Sequence, residues 1–110
     1  MAVLLGIDIG TTNWKVAAYT GDFKEICIEK TPTQTYYDKD GNSFYRSREI
    51  WSSVCRLTKK VLAQLDDDVT AVSVTSMAEA VVPIDKGGNE CFDIITWFDT
   101  RAIKESKEVE

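Results

Sequence analysis

Histidine is absent from this sequence of 110 residues. Its absence excludes Ser-His-Asp and Cys-His catalysis within the chain, and it excludes the common histidine-based zinc sites. Cys27, Cys55 and Cys91 are odd in number and far apart. They fit neither a disulfide framework nor a zinc site, so they indicate ordinary thiols in a reducing cytoplasm.

Long apolar runs and clusters of basic residues are also missing. The longest apolar run is too short to span a membrane, and no signal-peptide pattern is visible, which favours a cytoplasmic protein without a membrane partner. The 13 Lys and Arg residues are scattered, and 18 acidic residues give a net charge of −5, which disfavours nucleic-acid binding.

With 44% hydrophobic residues, the chain can bury a core, and its length allows at most one domain of ordinary size.

The N-terminal segment is the most informative part of the sequence. Apolar runs at residues 3–7 and 16–19 predict two buried strands joined by a tight turn. Asp8 interrupts the first strand, and a glycine and two threonines follow at residues 10–12. An acid beside so many hydrogen-bond donors suits a hydrated Mg²⁺ and a polyphosphate. Asp8 could also simply cap its own turn, and the spacing alone leaves both interpretations open.

The middle of the chain alternates between predicted strands and a helix. Residues 24–33 predict a third, antiparallel strand, and residues 34–46 a polar loop with a turn at residues 40–42. A helix should begin at Ser47 and run to about Leu65, because apolar residues recur at helical spacing at Ile50, Val54, Leu57, Val61 and Leu65. The acidic run at residues 66–68 favours a solvated turn over a metal site. Residues 69–75 are small and β-branched, as is typical of a strand covered on both faces.

The C-terminal part continues the α/β pattern. We expect a short strand at residues 81–84, a turn at 85–89, a strand-like stretch at 92–97 and a helix reaching Glu110. Acids at the end of that helix oppose its dipole, so the pattern indicates a helix that is cut rather than ended. Neither G-x-G-x-x-G nor G-K-[ST] occurs, which leaves a strand–turn–strand phosphate site as the remaining candidate.

Four segments of the sequence resemble one family of enzymes. GIDIGTTNWKVAAY (residues 6–19) is similar to the first phosphate motif of the sugar kinase, heat-shock chaperone and actin superfamily. Within that superfamily the chain resembles the FGGY carbohydrate kinases, on the segments DGNSFYRSREIW (40–51), VTAVSVTSMAEAVVPID (69–85) and TWFDTRA (96–102). The resemblance implies an α/β, ribonuclease H-like (actin-like ATPase) fold. Its mixed sheet would have three antiparallel first strands, and residues 1–110 would form part of the first of two domains.

The resemblance also implies a set of phosphate-binding residues. Asp8 matches the acid that holds the Mg²⁺–ATP complex, usually through water. Gly10, Thr11 and Thr12 match the turn beside the β- and γ-phosphates. Lys15 lies where a basic residue often follows, although a solvated strand residue is an equally open interpretation.

A second set of residues matches the sugar end of the family's site. Glu79 matches a glutamate that binds sugar hydroxyls in glycerol kinases, and Trp97, Asp99 and Arg101 match the signature that shapes and polarises the sugar pocket. Ala78 stands where glycerol kinases have arginine, and xylulose kinases read Gln-Met-His in this segment, so the sugar or polyol substrate stays open. Without the resemblance, Asp99 and Arg101 would be interpreted as a helix cap and an ion pair.

The implied function is ATP-dependent phosphorylation of a sugar or polyol hydroxyl, with Mg²⁺, by a longer parent protein. The catalytic base and the adenosine pocket would lie in the missing domain, so we expect this chain alone to be inactive. Its uncovered sheet surface should favour self-association. A chaperone- or actin-like ATPase is the main alternative, and it gives Trp97 no role. A non-catalytic interaction domain is a third alternative.

Overall fold

A computed structural model describes residues 2–109 of the chain. They form two compact units. The first unit contains the N-terminal segment through Thr33 together with Arg48–Met77, and the second contains Gln34–Ser47 together with the segment that begins at Ala78. Each unit is built around its own β-sheet.

The sheet of the first unit has four strands in the order β3-β2-β1-β6, with bounds β1 Val3–Ile9, β2 Asn13–Thr20, β3 Glu25–Pro32 and β6 Val69–Ser76. β1 and β2 are antiparallel, as are β2 and β3, whereas β6 lies parallel to β1. The predicted mixed sheet with three antiparallel first strands is therefore confirmed. A parallel neighbour needs a crossover, and the connection from β3 to β6 carries the long helix.

Helix α1 (Ser47–Leu62) covers one face of this sheet. Leu57 and Val61 pack there against alternate side chains of the two central strands, namely Val3 and Leu5 of β1 and Trp14, Val16 and Ala18 of β2. Val61 is fully buried, and a side chain of this kind contributes about 1.5–3 kcal/mol on burial. The helical periodicity thus predicted the buried face of the helix correctly.

The helix ends at Leu62, three residues before the predicted boundary. The backbone N–H groups of Gln64 and Leu65 donate to the carbonyls of Val61 and Leu62, three residues earlier, at 3.0 and 3.2 Å. Such bonds tighten the last turn and satisfy carbonyls that a helix end leaves free. Leu65 still packs against the core, which explains why it extended the apolar pattern.

Strand β6 lies at the edge of the sheet and is largely exposed within the described residues, which agrees with the uncovered sheet surface expected for this chain. Val72 and Val74 are 57% and 60% exposed. Small and β-branched residues fit a pleated surface whether or not other elements cover it. Composition therefore identified the strand but not its surroundings.

The second unit contains a small antiparallel sheet. Two of its strands lie where a loop was predicted, and the third lies within the predicted strand-like stretch at residues 92–97. Its strands are β4 (Tyr36–Tyr37), β5 (Ser43–Tyr45) and β7 (Ile94–Ile95), in that order. The strand predicted at residues 81–84 is reduced to one bridge, Ile84 to Glu90. Helix α2 (Ile103–Val109) follows, and the predicted end at Glu110 lies outside the described residues.

Two turns of the second unit share one construction. Asp38 accepts hydrogen bonds from the backbone N–H groups two and four residues later, and Asp85 does the same. Gly41 and Gly88 occupy the position that requires a positive φ, at 81° and 80°. The predicted turn at residues 40–42 is thus confirmed, with Asp38 as its anchor.

Neither described helix is long and apolar enough to cross a membrane.

The exposed edge of β6 generates a prediction about the chain in solution. An uncharged, β-branched edge strand with unpaired backbone groups is a template for another strand. We expect the average mass of the chain, measured by sedimentation equilibrium, to rise with concentration. The double variant Val72→Lys/Val74→Lys should stay monomeric.

Trp51→Lys is the matched control, because it also places a lysine at an exposed apolar side chain, on α1. It should associate like the unmodified chain. A mass that stays monomeric for the unmodified chain at every concentration would show that the β6 edge is harmless.

Candidate functional site

The connection between β1 and β2 is a tight turn that requires glycine. The backbone N–H of Gly10 donates to the carbonyl of Asn13 at 3.0 Å. A Cβ atom at Gly10 would lie 2.9 Å from that carbonyl oxygen, a distance that side chains do not tolerate against backbone. The side chains of Thr11 and Thr12 are exposed at the tip of the turn. The turn therefore presents two hydroxyls to solvent.

Thr33 holds this turn in place, and the sequence analysis missed it. Its hydroxyl donates to the carbonyl of Gly10 at 2.7 Å, and its backbone N–H donates to the carbonyl of Thr12 at 3.0 Å. Both contacts follow from the register of β2 and β3, which pairs Asn13 with Pro32 and so brings Thr33 beside the turn. The available signal was a hydroxyl residue directly after the predicted third strand.

Asp8 lies on the sheet face opposite α1. Side chains alternate along a strand, and Ile7 and Ile9 face the core, so Asp8 faces the other side. Its neighbours across the sheet are Lys15 on β2 and Thr75 on β6. The Lys15 ammonium lies 3.4 Å from a carboxylate oxygen of Asp8, with the two side chains 39% and 41% exposed.

A carboxylate buried without a partner inside an apolar strand would destabilise the fold. Asp8 does not carry that cost, because it faces an open depression of about 250 Å³. Lys15, Ser73 and Thr75 line the same depression. A half-exposed pair such as Asp8 and Lys15 contributes less than about 1 kcal/mol to stability. The carboxylate thus remains available for a ligand.

The donor set around Asp8 fits a hydrated Mg²⁺ and does not fit a metal cage made by the protein alone. No group of three or more His, Cys, Asp or Glu residues that could hold a metal occurs within residues 2–109. Mg²⁺ usually keeps several waters and binds through one or two carboxylates together with phosphate oxygens. Asp8 offers a carboxylate, and the exposed turn at residues 10–12 offers two hydroxyl groups. The acidic run at residues 66–68 is exposed, as predicted for a solvated turn.

In the second unit, Glu79 and Trp97 line one pocket of about 300 Å³. Asp93 and Thr96 add polar groups to its wall. The remaining lining is apolar and comes from Val81, Pro83, Phe92 and Ile95. A concave, mostly apolar surface with a few polar groups is the usual form of a small-molecule site.

Glu79 has an unusual backbone conformation at this pocket. Its φ is 59°, in the left-handed region, which costs a residue with a Cβ about 1–2 kcal/mol. Phe23, in the β2–β3 turn, is the other described non-glycine residue with a positive φ. Strain of this kind is often found at ligand sites. It is independent support for a functional role of the segment around Glu79.

Asp99 and Arg101 do not line this pocket and instead form a hydrogen-bonded ion pair in which the aspartate side chain is buried and the arginine is partly exposed. The Asp99 carboxylate accepts hydrogen bonds from the Arg101 Nε and backbone N at 2.8 Å, from Arg101 Nη2 at 3.0 Å, and from the Ser43 backbone N at 2.8 Å. The Asp99 side chain is 2% exposed. The Arg101 guanidinium is the main reason that the pKa of Asp99 lies well below its ordinary value.

The network extends to the pocket wall through Ser43 and Thr96. Their hydroxyls lie 2.6 Å apart and are buried, and the Asp99 backbone N–H donates to the Thr96 carbonyl at 3.2 Å. Trp97 lies between Thr96 and Asp99 in the chain, so both ends of its segment are held. Sequence reasoning missed Ser43 and Thr96, since their contact spans 53 residues.

The residues expected at the sugar site follow strands of two different sheets. Glu79 follows β6 of the four-stranded sheet, whereas Trp97, Asp99 and Arg101 follow β7 of the small antiparallel sheet. Short strands without periodicity gave no indication of a second sheet.

Comparison with known proteins identifies the family. Residues 3–110 match the N-terminal domain of the FGGY family of carbohydrate kinases, and the chain belongs to that family. It is 28% identical to glycerol kinase from Aquifex aeolicus (strain VF5) over 103 residues, which cover 92% of this chain and 21% of that enzyme. The chain thus spans about a fifth of the length of the curated relatives it matches.

Solved structures confirm the fold. Gluconate kinase from Lactobacillus acidophilus matches with a TM-score of 0.91 and 19% identity, over 98% of this chain and 22% of that one. Plasmodium falciparum glycerol kinase with ADP matches with a TM-score of 0.86 and 25% identity, over 100% of this chain and 23% of that one. The predicted ribonuclease H-like, actin-like ATPase fold of these kinases is therefore correct for this chain.

The Asp99 network predicts a pH-dependent loss of stability. Because the folded-state pKa of Asp99 lies below the ordinary value of 3.8, its ionised form stabilises the fold at neutral pH. That contribution is lost as the pH falls from about 4 toward the lower folded pKa. Asp99→Asn should therefore lower the free energy of unfolding at neutral pH, and the difference should shrink near about pH 3.

Urea unfolding followed by tryptophan emission at both pH values measures this difference. Asp93→Asn is the matched control, since it neutralises an exposed acid of the same unit. It should unfold like the unmodified chain. An Asp99→Asn variant as stable as that control at neutral pH would mean that the network does not stabilise the fold.

Proposed function

We propose that this chain works as part of a kinase about five times its length, which transfers the γ-phosphoryl group of ATP to a hydroxyl of a sugar or polyol. The observation that carries the proposal is the family match over residues 3–110, together with an exposed turn at residues 10–12 that closely follows Asp8. A cytoplasmic protein without nucleic-acid or membrane partners is the setting that we propose for it.

At the phosphate end, the chain's contribution is positioning and charge. Gly10 lets the backbone approach closely, and Thr11 and Thr12 offer hydroxyls to the β- and γ-phosphates. Thr33 keeps the turn in one conformation, so these donors are aligned before the nucleotide arrives. Lys15 offers a positive charge beside Asp8. It is our proposed additional phosphate contact.

Asp8 would hold the magnesium ion that accompanies ATP. When bound, such an ion supplies charge neutralisation across the phosphate oxygens. Asp8 suits that role because its carboxylate is half exposed and has one weak partner, the Lys15 ammonium. Its position on the strand, rather than on a loop, would keep the carboxylate aligned.

At the sugar end, Glu79 and Trp97 would contact the substrate within their shared pocket. The Glu79 carboxylate can accept hydrogen bonds from sugar hydroxyls, and the Trp97 ring offers an apolar surface. Asp99 and Arg101 would act by holding the Trp97 segment, because the Asp99 carboxylate already accepts four hydrogen bonds. They are therefore positioning residues in this proposal. Of the two, only the exposed part of Arg101 would also contact the sugar directly.

The proposal predicts opposite effects of Asp8→Asn on activity and stability in the complete kinase. Turnover should fall by at least about a hundredfold, as for other losses of charge stabilisation in the transition state. The melting temperature should hardly change, because the pair with Lys15 contributes little. Steady-state kinetics and thermal unfolding of the same preparation test both statements.

Asp68→Asn provides the control, since it removes an exposed acid of the same unit after α1. It should keep full turnover. If Asp8→Asn kept full turnover as well, the assignment of the phosphate site would be wrong.

The chain by itself should not phosphorylate sugars. It spans about a fifth of its relatives, and phosphoryl transfer also needs a base and a site for the adenosine group. Sugar-dependent ADP release by the purified chain, measured with a coupled assay, should equal the rate without protein. Clear turnover by the 110-residue chain would show that the chemistry is contained within it.

A further inference from the structure

Among the described residues, the pocket that contains Glu79 and Trp97 is lined by acids and by no basic side chain. Two of its lining residues, Glu79 and Asp93, are acids, and lysine and arginine are absent from the described lining. Within residues 2–109, neither acid takes part in a hydrogen bond or an ion pair, and both are exposed. The nearest arginine in the sequence, Arg101, is engaged by Asp99.

An uncompensated pair of carboxylates favours one class of ligand over another. Carboxylates accept hydrogen bonds and donate none when ionised, so they suit a ligand rich in hydroxyl groups. A ligand that carries its own carboxylate would instead meet two like charges at short range. Those charges act through water at this open pocket, so the repulsion is moderate and depends on salt.

We propose that this pocket selects neutral sugars or polyols and discriminates against sugar acids, with Asp93 as a specificity-determining residue beside Glu79. The inference rests on the proposed function, because it assigns the sugar substrate to this pocket. It goes further by naming the charge class of the substrate and by giving a role to Asp93, which no motif of the chain assigns. Ala78, next to Glu79, adds no positive charge that would offset the two acids.

The test compares two ligands that share a carbon skeleton. Sorbitol and gluconate differ only at the first carbon, where sorbitol has a hydroxymethyl group and gluconate a carboxylate. Binding to the 110-residue chain is followed by tryptophan emission in a Trp51→Phe background. Since Trp14 is 2% exposed, this background leaves Trp97 as the exposed tryptophan. Sodium chloride is added during the sorbitol titration so that its ionic strength equals that of the sodium gluconate titration.

We expect sorbitol to bind about fivefold more tightly than gluconate. Each carboxylate within about 7 Å of the ligand's charge should weaken gluconate binding by close to a factor of three before salt screens the repulsion. Asp93→Asn should reduce the ratio of the gluconate and sorbitol dissociation constants to about two, because gluconate should bind more tightly to the variant. Asp40→Asn is the matched control, because it removes an exposed acid of the same unit outside the pocket lining. It should leave the ratio unchanged.

The possible results separate this inference from the proposed function. Gluconate binding as tight as that of sorbitol, or a ratio that Asp93→Asn does not change, would overturn the inference and leave a sugar pocket in place. Emission that neither ligand alters would overturn the assignment of this pocket to a sugar, and the inference with it. A preference for sorbitol that Asp93→Asn reduces and added salt weakens would support both.

Discussion

The alternation of side chains along β1 is the constraint on which the first unit depends. β1 has a hydrogen-bonded neighbour on each side, so its register is set twice, by β2 and by β6. With Val3 and Leu5 buried under α1, every second side chain must face the other way. A slip of one residue would bury the Asp8 carboxylate against the helix. The packing of the apolar side chains therefore determines which face of the sheet presents the acid.

Local patterns in the sequence predicted those parts of the fold that local patterns determine. Leu57 and Val61 recur at helical spacing because one helix face meets the sheet, and both are buried. The small sheet of the second unit could not be predicted in this way. Its strands β5 and β7 have three and two residues and lie about 50 residues apart in sequence, so neither has a period to detect. What defines them is their pairing, Phe44 with Ile95 and Tyr45 with Ile94, which exists only in the folded chain.

In the candidate sites, too, the parts formed by adjacent residues could be predicted and the parts formed by distant residues could not. The turn after Asp8 could be predicted because its parts, a glycine and two threonines, are adjacent in the sequence. The contribution of Thr33 could not, since it depends on the register of β2 and β3. The pocket around Trp97 is an intermediate case. A resemblance of short segments pointed to Glu79 and Trp97, but the position of Asp93 in the same wall is a consequence of tertiary structure.

The acidic residues differ in how much of their hydrogen-bonding capacity the fold already uses. An ionised carboxylate has about four acceptor positions. Asp99 fills its positions with Arg101 and the Ser43 backbone, so it can hold a loop but has little capacity for a ligand. Asp85 serves its own turn through backbone donors. Among the described residues, Asp8 has a single, weak partner, Lys15. Burial alone would have ranked Asp99 first as a functional acid, whereas acceptor capacity favours Asp8 at the proposed phosphate site. At the proposed sugar site, the same criterion favours the two open carboxylates of the pocket over the buried carboxylate of Asp99.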